Sequence, residues 1–207
     1  MIYPPGLPGI AFTSAVDGDM RGSPDQRRAV AGHLGISADW AIADQVHGST
    51  VLEVTSPGNH GPADGLFTAV AGVPVAVFTA DCFGVAMIAD GAVGVAHAGW
   101  RGVVAGVIGT LAEAMSAAGY PPQSAAAGPG IGPCCYEVGT EVAEHLAHHR
   151  GETTLGTQSV DLPGAIREQL GSLKLWQSES CTMCSPGFYS HRVDATTARM
   201  ATIAWMV

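Results

Sequence analysis

The segment spanning residues 73–98, VPVAVFTADCFGVAMIADGAVGVAHA, holds three short β-rich runs at 75–78, 85–88 and 93–96. Runs of apolar and β-branched residues bounded by turn-forming residues mark strands. Asp90-Gly91, between the second and third runs, is a dipeptide that tolerates the positive φ of a tight hairpin turn, so those two runs pair antiparallel. Outward from this unit, strands are expected at 9–13, 124–127, 173–177 and 200–206, and 40–55 reads as extended chain broken at Gln45-Val46-His47-Gly48. One helix starts with Ser23 as its cap and Pro24 at its first position, and ends near Gly35. A second runs from Trp100-Arg101-Gly102 to Ala118, stopped by Gly119 and Pro121-Pro122. Two more are expected at 138–149 and 162–170. Hairpins mixed with helices, with no internal repeat or linker, make residues 1–207 a single α+β domain with mixed β-sheets, not a doubly wound parallel fold.

The chain of 207 residues is 47% hydrophobic and 13% charged, the balance of a packed core rather than a disordered polymer. Eighteen acidic against nine basic residues give a formal charge of −9. That surface repels phosphate backbones and argues against nucleic acid, while local arginines can still hold a small anion. The longest apolar run is interrupted by Asp81, so no membrane span is expected. Met1-Ile2-Tyr3-Pro4-Pro5 has neither the basic nor the apolar part of a signal peptide, and five cysteines is an odd number. Reduced thiols in the cytoplasm follow as the expectation.

Three chemically capable residues, His47, Cys82 and His97, each sit where a strand-like run meets a turn. Strand ends form a rigid rim, and a zinc site with three protein ligands keeps a fourth position for water or substrate. From the residues alone, two hydrogen-bonded histidines and a buried cysteine acting as a small hydrophobe remain the alternative. Arg101 follows Gly99-Trp100 at a helix start, where a guanidinium and free amides suit an anion; a plain surface arginine is the alternative. Gly128-Pro129-Gly130-Ile131-Gly132-Pro133 is either a rigid source of backbone donors, with Gly130 facing substrate, or a tight connection. Cys181-Thr182-Met183-Cys184 is a lone C-x-x-C. A second zinc would need another ligand pair and a redox dithiol would open a thioredoxin-like helix, so these read as reduced structural cysteines. Cys134-Cys135 borders the Gly/Pro loop with no chemistry assigned, and His145, His148 and His149 read as a solvated helix end.

Gln45-Val46-His47-Gly48, Ala63-Asp64-Gly65, Thr79-Ala80-Asp81-Cys82, Ala96-His97-Ala98-Gly99-Trp100-Arg101-Gly102, the Gly/Pro loop and Tyr136-Glu137-Val138-Gly139 occur in this order. Together they resemble the YfiH-like family, also described as multicopper polyphenol oxidoreductase or laccase-domain proteins and regarded as zinc-dependent purine nucleoside phosphorylases. The resemblance runs from about residue 40 to the end. It implies a layered α/β/β/α arrangement, with His47, Cys82 and His97 as ligands of Zn2+ (or, less favoured, Cu2+). It further implies phosphorolysis of adenosine, inosine and S-methyl-5'-thioadenosine, with a purine nucleoside and phosphate as partners, and adenosine deaminase activity at the same site. Cys82, His97, Asp81 and Arg101 are then the expected catalytic groups, with Arg101, Gly130 and His191 on the substrate side. Asp81 and Asp64 are candidates for proton transfer or for orienting a histidine, with a turn-capping role open to Asp81. Ser14 stands where relatives carry arginine, leaving Arg21 as its substitute, and His191 stands where they carry tyrosine. Two other classes compete. One is a cysteine hydrolase with Cys82 as nucleophile and His97 as base, including a peptidoglycan-editing role. The other is a copper-dependent polyphenol oxidase, for which eight histidines are few.

Overall fold

The computed structural model describes residues 1–207. In chain order the elements begin β1 (Ile10–Phe12), α1 (Pro24–Leu34), β2 (Ala41–Asp44), β3 (Val51–Glu53), β4 (Gly58–Pro62), β5 (Gly65–Thr68) and β6 (Val75–Thr79). They continue β7 (Phe83–Ala89), β8 (Ala92–Ala98), α2 (Trp100–Val104), α3 (Val107–Ala117), β9 (Ser124–Ala127) and α4 (Thr140–His145). The remainder are β10 (Arg150–Glu152), β11 (Gln158–Val160), α5 (Leu162–Leu170), β12 (Lys174–Gln177), α6 (His191–Asp194) and β13 (Met200–Ala204).

Period-two alternation distributes the strand side chains between layers. In β6, Val75 and Val77 enter one core cluster while Ala76 and Phe78 enter another. In β8, Val93 and Val95 face the same core as Val75, whereas Ala92, Ala96 and Ala98 face the opposite side. The β7–β8 hairpin turns at Gly91, whose φ of 79° a side chain would resist, and pairs antiparallel from Phe83↔Ala98 to Ala89↔Ala92. It sits inside a six-stranded mixed sheet ordered β12-β9-β7-β8-β5-β3. A five-stranded sheet ordered β1-β13-β6-β2-β4 lies against it, and β10–β11 form a separate hairpin.

The two large sheets share an inner core that includes Ile10, Phe12, Leu66, Val77 and Val95. Helix α3 presents Val107, Ile108, Leu111 and Met115 on one face, and with α5 it covers the outer face of the six-stranded sheet. Full burial of such side chains is worth about 1.5–3 kcal/mol each. Helix α1 covers the five-stranded sheet through Val30 and Ala31, which join Trp40, Phe78 and Ile203. The layers are therefore α/β/β/α, as the resemblance implies. No helix is long and apolar enough to cross a membrane.

Local chemistry sets the helix ends. Ser23 accepts from the Gln26 amide at the start of α1, Pro24 opens it, and Gly35 closes it in the left-handed conformation. The helix expected across 100–118 is instead two helices. Gly106 adopts φ 81°, which ends α2 and opens α3 in a new direction. The helix expected over 138–149 starts at Thr140 and tightens to a 3-10 turn at Ala147–His149, because Val138 donates to Gln158 across an extended segment. His149 is tied to Glu168 at 2.7 Å rather than merely solvated. Strand β4, Gly-Asn-His-Gly-Pro, has no apolar pattern; it is an edge strand on β2, where proline and glycine are tolerated.

Between the two large sheets, a Cβ added to Gly84 would overlap the Thr202 hydroxyl of β13. Gly84→Ala is expected to destabilise the fold by about 1–3 kcal/mol. Gly32→Ala, on the exposed face of α1 with nothing near its Cβ, is expected to stabilise by up to about 1 kcal/mol. Thermal melts of the two variants check both signs; a melting temperature unchanged by Gly84→Ala would contradict the close sheet contact.

Candidate metal centre

The site is assembled on the carboxylate of Asp64, just before β5, which is fully buried. Its Oδ1 accepts from the His47 amide at 2.9 Å, and its Oδ2 accepts from the amides of Val46 at 3.2 Å and Gly48 at 2.7 Å. The same Oδ1 lies 2.8 Å from His97 Nδ1. A carboxylate so placed only accepts, so Nδ1 carries a proton and Nε2 is the nitrogen turned toward the cluster, which would give up its own proton to a metal. The backbone joins in, with the His97 amide donating to the Asp64 carbonyl at 2.7 Å. One acidic residue thus fixes the 46–48 turn and the orientation of a strand-end histidine together.

Gln45 anchors the other end of that turn. Its side-chain amide donates to the Phe78 carbonyl and accepts from the Phe78 amide, both at 2.8 Å, continuing the β2–β6 pairing by one step. His47 then takes φ 62°, an uncommon conformation for a residue with a side chain. Cys82 follows Asp81, whose φ of 84° makes the sharp turn between β6 and β7. The donor atoms of His47, Cys82 and His97 all lie within 4.8 Å of one another, and the two imidazoles meet edge to face at 4.8 Å between centroids. Gly99 leaves the space for this meeting: a Cβ there would stand 2.9 Å from Cys82 Sγ and 3.2 Å from the His47 ring. His97 is buried, Cys82 half-buried and His47 exposed, so the cluster opens to solvent on the His47 side.

Burial alone would raise the Cys82 thiol, but hydrogen bonds from His47 and His97 bring it down to about 6. Burial would lower His97, but Asp64 and Cys82 raise it to about 9. The Asp64 carboxyl, resisted by burial, is held below its ordinary value by His97 and the Gly48 and His47 amides. Cys82 is therefore a thiolate near neutrality, the form that ligates metals or attacks carbonyls.

The other expected residues divide. Asp81 is buried with both oxygens engaged, Oδ1 by the Thr182 hydroxyl at 2.7 Å and Oδ2 by the Arg192 amide at 2.9 Å. It braces the turn beneath Cys82, while Asp64 is the carboxylate that orients a histidine. Arg101 is exposed, with its guanidinium 4.3 Å from the Trp100 ring centre. Tyr136 is pushed up to about 12 by burial first and by the Cys82 charge next, against the pull of Arg192 and Arg101. Arg192 lies over the Tyr136 ring at 4.9 Å and donates to the Glu137 carbonyl at 2.6 Å. His191, expected on the substrate side, is exposed, and these contacts belong to its neighbour Arg192. Gly130 is buried against the ring of Phe83, the residue after Cys82, and paired with Cys181. Ser14 turns back on Asp17, and its neighbour Ala15 donates to Gly187, so this segment touches the loop preceding His191. Clefts of about 430 Å³ flank the cysteine-rich loop, one lined by Gly130 and Cys181, the other by Val138 and Arg192.

A further departure concerns the cysteines. Cys181 and Cys184, read from sequence as reduced structural cysteines, and Cys134 and Cys135, to which no chemistry is assigned from sequence, come together with all four sulfurs within 4.8 Å. The second ligand pair that the C-x-x-C lacked is the vicinal pair fifty residues earlier in the chain.

Comparison with known proteins agrees with this architecture. The family described as "Multi-copper polyphenol oxidoreductase laccase" matches residues 13–207, a span that begins earlier than the motif blocks. The chain is 38% identical over 209 residues to "Purine nucleoside phosphorylase ORF3" of Streptomyces griseus, covering 93% of this chain and 85% of that protein. It is 40% identical over 196 residues to a protein of Deinococcus radiodurans named "Purine nucleoside phosphorylase", covering 88% and 76%. The crystal structure of YlmD from Geobacillus stearothermophilus superposes with a TM-score of 0.81 at 35% identity, covering 91% of this chain and 82% of that one.

Removing the Asp64 charge while keeping its shape tests the assembly. Asp64→Asn is expected to weaken the binding of a divalent metal offered to the triad by about 10–100-fold, the usual effect of losing the group that orients a histidine ligand. Gly99→Ala, which places a methyl group against Cys82 Sγ, is expected to act in the same direction. Competition with a chromophoric chelator measures both; native affinity in both variants would contradict the geometry described.

Proposed function

The chain belongs to the multi-copper polyphenol oxidoreductase laccase family, and on that premise we propose that it is a cytoplasmic, zinc-dependent purine nucleoside phosphorylase. Its substrates on this reading are adenosine, inosine and S-methyl-5'-thioadenosine with inorganic phosphate, and adenosine deamination shares the site. The observation that carries the reading is the convergence of His47, Cys82 and His97, with Asp64 holding His97 so that Nε2 faces the cluster.

Two imidazoles and a thiolate suit zinc, and three protein ligands leave one position open. When bound there, zinc supplies a Lewis acid and an activated water, the chemistry that replacing the amino group of adenosine demands. The chain's own residues do the remainder. In phosphorolysis a phosphate oxygen bonds to C1′ of the ribose while the C1′–N9 bond breaks, and the purine departs with the electron pair and takes up a proton. Arg101, exposed and lying over the Trp100 ring, is the candidate to hold the phosphate. Tyr136 keeps its proton through the neutral range and is a hydroxyl donor rather than a base. Asp81, fully engaged by Thr182 and Arg192, keeps the Cys82 turn in place instead of exchanging protons with substrate.

A second reading, cysteine hydrolysis, is favoured by one specific observation: Cys82, His97 and Asp64 also form a thiolate–imidazole–carboxylate series. His47 separates the two, since a hydrolase has no need of a second imidazole on the thiolate. Copper oxidation of phenols draws no comparable support. His33, His60, His145, His148, His149 and His191 all lie outside the cluster, and a multicopper site needs many imidazoles.

The test is purine release from inosine or adenosine with and without phosphate. Phosphate-dependent release is expected, falling by more than about 100-fold in both Cys82→Ala and His47→Ala, a larger loss than a supporting partner causes. Arg101→Ala is expected to lower kcat/KM for phosphate by about 10–100-fold, the range for a lost charge-assisted hydrogen bond of about 1.5–3 kcal/mol. Ester or amide hydrolysis that survives His47→Ala but not Cys82→Ala would establish the hydrolase instead.

A further inference from the structure

Strands β9 and β12 are parallel neighbours, in register from Ser124↔Lys174 to Ala127↔Gln177. Their chains therefore leave the sheet at the same edge and in the same direction. The two loops remain paired beyond the strands: the Ser178 amide donates to the Ala127 carbonyl at 2.9 Å and the Thr182 amide to the Gly130 carbonyl at 3.0 Å. Cys134-Cys135 lies on one loop and Cys181-Thr182-Met183-Cys184 on the other. We propose that these four cysteines form a second metal site, a closed four-thiolate zinc centre that staples the two loops beside the His47–Cys82–His97 cluster.

Geometry carries the assignment. A tetrahedral zinc with bonds of about 2.3 Å sets its sulfurs about 3.8 Å apart. Cys134 and Cys184 Sγ stand 3.8 Å apart, and all four sulfurs fall within 4.8 Å. A disulfide needs about 2.0 Å between sulfurs, so the pair is spaced for a shared ion rather than for a bond. An iron–sulfur cluster ties its cysteines to different irons and holds them wider apart than a single ion does. The Gly132 amide donates to Cys181 Sγ at 3.2 Å, the kind of support that metal-bound thiolates receive from surrounding groups. Loading such a site releases the thiol protons and leaves a net negative centre; Arg167 and Arg192 line the clefts on its two sides. Cys184 is exposed, which gives an ion a way in, and Cys181 is buried.

Four protein ligands leave no open position, so this centre is structural. Its place gives it a consequence for the triad. Thr182 sits between two of the ligands and holds Asp81, the residue before Cys82, through its hydroxyl. The staple therefore braces the platform on which Cys82 is mounted.

Zinc is counted by mass spectrometry in protein purified without chelators under reducing conditions. Wild type is expected to carry about two ions per chain, His47→Ala about one, and the double variant Cys181→Ser, Cys184→Ser about one. Loss of the ion from one site is thereby distinguished from loss at the other. Should the double variant fail to fold, the His47→Ala chain loaded with Co2+ decides: intense thiolate-to-cobalt charge transfer and tetrahedral four-sulfur bands are expected. Three results would overturn the proposal: equal zinc in wild type and the double variant, iron in place of zinc, or a Cys134–Cys184 disulfide in the isolated chain.

Discussion

A buried carboxylate is costly unless every lone pair finds a donor, and Asp64 meets that condition with three consecutive amides and an imidazole. The arrangement explains features that look unrelated. The 46–48 turn can present its amides to one point only if His47 takes a left-handed backbone, which directs its side chain toward His97. His97 in turn is held at the end of β8 by both its ring and its backbone. The charge of Asp64 also raises His97, which helps keep Cys82 ionised. Strand pairing supplies the frame, but this carboxylate converts three strand ends into one cluster.

The two-sheet architecture serves the same end. The β7–β8 hairpin places Cys82 and His97 at the same edge, with Phe83 opposite Ala98 and Gly84 opposite His97. The five-stranded sheet brings β2, and with it His47, to that edge through its pairing with β6. Glycines keep the approach open at Gly99, beside Cys82, and at Gly84, where the sheets touch. The donors are therefore fixed by long-range pairing on rigid elements, which suits a site that must hold its geometry through a reaction cycle.

Much of this was legible in the chain because it is locally encoded. Ser23-Pro24 and Gly35 mark the ends of α1, and Asp90-Gly91 marks the hairpin, through conformational preferences of single residues. His47, Cys82 and His97 were recognisable by their strand-end settings and by the motif blocks around them. What stayed hidden depends on sheet order. Cys134 and Cys184 are separated by two α-helices, a hairpin and β12, and only the parallel pairing of β9 with β12 makes them neighbours. That Arg192, and not its neighbour His191, lies over the Tyr136 ring is likewise hidden, because one residue of phase on α6 decides which side chain reaches it. Gly106 interrupts an apolar period that reads as continuous, since its left-handed conformation is invisible in the pattern.

On the proposed reading, Asp64 assembles an open three-ligand zinc site from His47, Cys82 and His97. Anomalous diffraction from crystals at the zinc absorption edge tests it most directly. A peak is expected about 2.0–2.1 Å from one nitrogen each of His47 and His97 and about 2.3 Å from Cys82 Sγ, with the His97 bond through Nε2 and no fourth protein ligand. A zinc-replete crystal with no peak at the triad, or one whose ion is closed by a fourth protein side chain there, would contradict it.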